Sequence, residues 1–169
     1  MNDYIIERST RLIKRYATRD PFEIASNMNI EILFMDLGNL KGFYKRDGHN
    51  RFIVINEGIS EPLQKIVCAH ELGHDQLHRH LSKSQTLQEF AIYDMKSKPE
   101  YEANVFAAEL LLSESDILDS FEQGFTFSET VKLLHTDPQL LAIRLMTMKH
   151  IKRHFEIPLN IQSDFLKKD

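Results

Sequence analysis

Four of the eight histidines fall between positions 70 and 80. Among them stands His70-Glu71-Leu72-Gly73-His74, an H-E-x-x-H. On an α-helix, residues i and i+4 share a face, so both imidazoles can address one metal ion. Glu71 lies about 100° further round such a helix, by the 3.6-residue period. From there its carboxylate can reach water at the ion without being a ligand. An ion of this kind lowers the pKa of water and polarises a carbonyl, while the carboxylate accepts the proton. The chemistry that suits this arrangement is hydrolysis. The plain rival is a helix that merely carries surface histidines.

A catalytic zinc usually takes three protein ligands. An H-E-x-x-H-x-x-G-x-x-H continuation would supply the third. His80 stands at its last position, but Leu77 occupies the place of the turning glycine. If the helix continues, His80 points off the metal face and His78 is placed no better. Both then read as solvated residues or as outer partners. The other source is a carboxylate from the segment Pro99–Leu112. Glu100, Ala103, Asn104 and Ala107 share one helical face there, and the alanines would let it pack closely on the motif helix. Glu102, Phe106 and Glu109 lie on another face. Glu100 is therefore the first candidate for the third ligand and Glu102 the reserve, while Glu109 reads as a solvated charge. Asn104 either steadies a histidine ring or is a plain polar helix residue. Gly73 costs about 1 kcal/mol of helix propensity relative to Ala. That fits a close approach by another element, and a neutral packing glycine equally well. Cys68 faces away from His70 and reads as a small buried residue.

These residues need elements to position them. Apolar spacing predicts a helix over 3–17. Asp20-Pro21 opens a second, to about Met28. Residues 30–56 read as a small antiparallel sheet of three strands, with a turn at Asp47-Gly48-His49-Asn50. Ser60-Glu61-Pro62 opens the motif helix, expected to run to about His80. Residues 82–98 have no clear period, and a loop of that length in a compact domain is often functional. Helices follow from Pro99 to about Leu112, over 116–123, from Phe127 to about His135, and from Asp137-Pro138 to about His154. The fold class is α+β: a three-stranded sheet against the motif helix, with a mainly helical C-terminal half. A single domain over 1–169 is expected, with a catalytic core over about 1–123 and a helical hairpin over 124–155.

Composition limits the alternatives. The 169 residues, 42% hydrophobic and 27% charged, suit a globular domain that needs no disulfide staples. The net charge of −4 disfavours a protein that binds nucleic acid over its whole surface. One cysteine excludes a disulfide framework and multi-thiolate metal clusters. The opening MNDYIIERSTRLIKRY has no continuous apolar run, so no secretory signal is expected. No stretch approaches the roughly 18 apolar residues of a membrane span. The expected location is the cytoplasm.

HELGHDQLH at 70–78, E-x-E-A-N-x-F-A-A-E-L-L at 100–111 and the FIVIN strand at 52–56 together resemble the ImmA/IrrE metallopeptidases, peptidase family M78. The likeness covers about residues 20–135. It implies a gluzincin-like zinc site of His70, His74 and Glu100, the last three residues before the Ala103-Asn104 pair. It implies Glu71 as general base. It also implies a bacterial or phage-borne cytoplasmic protease that cleaves a helix-turn-helix repressor of a mobile element or stress regulon. One departure is visible: Leu112-Ser113 stands where the family often has Met-Pro.

Some roles stay open. Tyr93, Tyr101 and the histidines near 78–80 are all candidates to steady the oxyanion. Arg51–Asn56, as an edge strand, could hold an extended substrate. Residues 124–150 with Lys149, Lys152 and Arg153 resemble a helix-turn-helix, so a DNA-binding module is the rival from another class. A helical hairpin packed on the core is the favoured reading of that segment. A third reading is a peptidase-like module that sequesters a repressor without turnover.

Overall fold

A computed structural model of the chain describes residues 2–79 and 97–148. Helix α1 (Asp3–Tyr16) buries Ile5, Ser9 and Leu12. Helix α2 (Pro21–Asn27) starts as the sequence predicts. The Asp20 carboxylate accepts from the Phe22 and Glu23 amides, and Pro21, which has no N–H to satisfy, occupies the first turn. Strands β1 (Glu31–Met35), β2 (Gly42–Asp47) and β3 (Asn50–Asn56) follow. A tight turn at Gly48-His49 joins β2 to β3, with Gly48 at φ +58°.

The sheet has the order β1-β3-β2. β2 runs antiparallel to β3, but β1 runs parallel to it, Glu31 opposite Phe52 and Met35 opposite Asn56. The α+β class therefore stands, while the sheet is mixed and not wholly antiparallel. The cause lies in β3. Ile53, Val54 and Ile55 are buried in succession, so both faces of this strand are covered and it takes the centre. β1 leaves Phe34 and Met35 exposed, and β2 leaves Lys45 and Asp47 exposed, which suits edges. With neighbours on both sides, Arg51–Asn56 has no open edge for a substrate strand. Among the described residues, the open edges belong to β1 and β2.

Helix α3 (Glu61–Leu77) carries the motif and packs on β2, β3 and α2. Asp75, fully buried beside His74, fixes it to the sheet. Its carboxylate accepts from Tyr44 of β2 at 2.8 Å and from Arg51 of β3 at 3.0 Å. Arg79 adds a further bond at 3.0 Å. Burial and the Asp75 charge push the Tyr44 phenol well up, so it serves as a donor. The helix is shorter than predicted. It stops at Leu77, where the His78 ring is taken up by neighbours on two sides.

Helix α4 (Lys98–Leu111) packs along α3, with α1 and α7 against it. The crossing is tight at Gly73. A Cβ there would stand 3.1 Å from Ala103 Cα and 3.2 Å from the Ala103 carbonyl oxygen. The close-approach reading of Gly73 holds, and Ala103 is the residue approached. Gly73→Ala gains about 1 kcal/mol of helix propensity but overpacks backbone at about 1–3 kcal/mol. A lower urea midpoint is expected; an unchanged or higher midpoint would show that the two helices part freely.

Helices α5 (Glu114–Glu122), α6 (Phe127–Leu133) and α7 (Pro138–Thr147) complete the described chain. Thr126 and Glu129 form a reciprocal capping box at α6. In α7, six consecutive residues from Leu140 to Leu145 are buried. A recognition helix must present a polar face to a DNA groove, and this one presents none over that run. The hairpin expected over 124–155 lies only partly within the described residues, and Lys149, Lys152 and Arg153 lie outside them. α7 also corrects the reading of Glu109. That carboxylate is buried and pairs with Arg144 of α7 at 3.0 Å. A covered carboxylate needs a cation, and this partner is 35 residues away in the chain. Among the described residues, no helix is long and apolar enough to cross a membrane.

Candidate metal centre

α3 and α4 bring three donors together. His70 and His74 are one turn apart on α3, and Glu100 sits in the first turn of α4, where Ser97 caps the helix. His70 Nε2 and His74 Nε2 are 3.1 Å apart. The Glu100 carboxylate lies 3.3 Å from the first and 3.5 Å from the second. Both imidazoles are fully buried and Glu100 nearly so. Among the described residues, this is the cluster of three side chains that could hold a metal ion.

The spacing fits a small divalent ion. Zinc bonds of about 2.0–2.1 Å in a tetrahedron set donor atoms about 3.3–3.4 Å apart. The two imidazole nitrogens, 3.1 Å apart, stand near that value; each Glu100 oxygen approaches a different ring, at 3.3 and 3.5 Å, and one donor atom from each residue can be chosen with all three within 4.8 Å of one another. The donor chemistry agrees. Asn104 Oδ1 accepts from His70 Nδ1 at 2.8 Å, so the proton of that ring faces away and Nε2 offers its lone pair. The ring-steadying role considered for Asn104 is therefore the one observed.

Glu71 follows His70 on α3 and is buried. Glu102, the reserve ligand, is not in the cluster. Its Oε2 accepts from His78 Nε2 at 2.9 Å. His78 Nδ1 in turn lies 3.2 Å from His74 Nδ1. Burial pushes the His78 ring down from the usual imidazole range, with the Glu102 hydrogen bond opposing and His74 adding to the fall. Burial alone would raise Glu102, but bonds from Tyr4 and His78 outweigh it and hold the carboxyl below its ordinary range. The His78–Glu102 pair has no advance signal in the sequence beyond a histidine at the helix end. Asp75 had none either.

Other candidates fall away from the centre. Cys68 is buried in the core, and burial pushes its thiol far up, which suits an inert side chain. The Tyr101 hydroxyl accepts from Asn2 at 3.1 Å. His80 and Tyr93 lie outside the described residues. A groove of about 930 Å³, lined by Phe22, Ile32, Phe34, Leu112 and Leu134 among others, contains none of the three donors.

Comparison with known proteins agrees with this geometry. The family model for the IrrE N-terminal-like domain, peptidase family M78, matches residues 25–161. The chain is 43% identical over 120 residues to an uncharacterized immunity region protein 2 of Bacillus phage phi105, covering 70% of this chain and 75% of that protein. It is 33% identical over 119 residues to the metallopeptidase ImmA of Bacillus subtilis strain 168, covering 68% of each. An H-E-x-x-H helix, a carboxylate delivered by the following helix, and a family model spanning most of the length lead to one conclusion: the chain belongs to the M78 family of metallopeptidases.

Proposed function

We propose that this chain is a zinc-dependent endopeptidase that hydrolyses a peptide bond in a helix-turn-helix transcriptional repressor, in the cytoplasm. The repressor would belong to a phage, a mobile element or a stress regulon. The convergence of His70 Nε2, His74 Nε2 and the Glu100 carboxylate, with a carboxylate oxygen within 3.5 Å of each ring nitrogen, carries the hydrolytic part. Two imidazoles and a carboxylate as the donor set favour zinc among the common divalent ions. The substrate class rests on the family resemblance, and the phage relative's name, which refers to an immunity region, supports it.

His70, His74 and Glu100 would hold the ion. When bound, it acidifies an attacking water and polarises the scissile carbonyl. Glu71 takes the water's proton on its carboxylate and delivers it to the leaving amine nitrogen, so that one carboxyl serves as base and then as acid. Burial of Glu71 on α3 limits the rotamers from which it does so.

The test uses the full-length protein loaded with zinc and a set of helix-turn-helix repressors from phage and mobile elements. Intact-mass spectrometry should show two fragments whose masses sum to one repressor plus one water. A chelator should stop the reaction and zinc should restore it. Complex formation without fragments would favour the sequestering module. Fragments that persist without metal would contradict the mechanism.

A further inference from the structure

Glu102 lies two positions after Glu100, yet it faces away from the metal cluster and into a second line of groups. Its Oε2 accepts from His78 Nε2 at 2.9 Å. Lys98 Nζ stands 3.7 Å from its Oε1. On the other side of the His78 ring, Nδ1 is 3.2 Å from His74 Nδ1. Glu102, His78 and His74 thus run in one hydrogen-bonded line to the metal centre.

The direction of that line is set by chemistry. An ionised carboxylate only accepts, so His78 Nε2 carries a proton. In the neutral ring, Nδ1 is then a lone pair. The contact between the two Nδ1 atoms has His74 donating. His74 therefore keeps its proton on Nδ1, and its Nε2 lone pair faces His70 and Glu100. His70 obtains the same result from a single amide, Asn104. His74 obtains it from an imidazole backed by a carboxylate, which is the stronger acceptor.

We propose that His78 and Glu102 are positioning residues for the metal, locking His74 in the tautomer and ring orientation that ligate and raising its strength as a donor. This rests on the metal reading above. It gives Glu102 a role other than that of ligand.

The test measures zinc affinity of the full-length chain by competition with a chromophoric chelator, alongside thermal unfolding of each metal-free form. His78→Ala removes the acceptor, and zinc binding is expected to weaken about 10–100-fold. His78→Asn places an amide oxygen where Nδ1 now accepts, as Asn104 does for His70, and is expected to recover most of that loss. Glu102→Gln, which still accepts from His78, should bind zinc more tightly than Glu102→Ala. That second pair carries the test if His78→Ala does not fold. A merely structural role would lower the melting of the metal-free protein and leave zinc affinity in place. Variants that bind zinc as the wild type does, or Ala and Asn variants equally weakened, would overturn the inference and leave the metal reading standing. A wild type that binds no zinc would overturn both.

Discussion

Glu71→Gln is expected to abolish peptide hydrolysis while zinc content stays at the wild-type level. Glutamine matches glutamate in shape, so it fits the buried position on α3 without opening a cavity. It keeps hydrogen-bonding atoms but cannot accept a proton from water. A positioned general base contributes about 10²–10⁴-fold to such a step. The fall in kcat should be at least of that order, because the same group would also deliver the proton to the leaving amine. Cleavage rates and zinc per chain are measured on the same samples. A variant that cleaves as fast as the wild type would remove Glu71 from the mechanism. A variant that loses both cleavage and zinc would place Glu71 among the ligands.

Glu100→Ala is expected to cost the metal itself. The two imidazoles would remain, but two ligands do not hold a catalytic zinc. Affinity should fall by more than the roughly 10–100-fold that outer partners are worth. Glu102 offers no rescue, because its carboxylate is engaged by His78 at 2.9 Å and by Tyr4. Chelator competition reads the affinity, and circular dichroism checks that the helices persist. Zinc retained at wild-type affinity would move the third ligand to Glu102 or His80.

Much of this site was legible because its signals are local. His70 and His74 share a helix, and their spacing alone puts them on one face. Glu100 and Asn104 share the next helix with Ala103, and the four-residue step again sets the face. The caps at Asp20 and Asp137 were legible for the same reason, since each bonds an amide two residues on; the Thr126 cap was not read in advance. What was not legible depends on partners far along the chain. Glu109 looked solvated because nothing near it in sequence offers a cation; Arg144 arrives only when α7 folds over α4. Asp75 reads as one more charge on a helix until Tyr44 and Arg51 close on it from two strands. The strand order failed for a related reason. Consecutive strands usually pair as neighbours, but β3 is apolar on both faces and inserts between β1 and β2. The role of His78 needed both kinds of information: it lies one turn after His74, yet its ring takes its meaning from Glu102, 24 residues on.

The most direct measurement is the metal content of the purified, zinc-supplemented wild type by mass spectrometry of the elements. One zinc per folded chain is expected, removed by a chelator and regained on dialysis against zinc. A folded wild type that holds no zinc under those conditions would contradict the claim that His70, His74 and Glu100 form a metal centre. The hydrolytic mechanism built on that centre would fall with it.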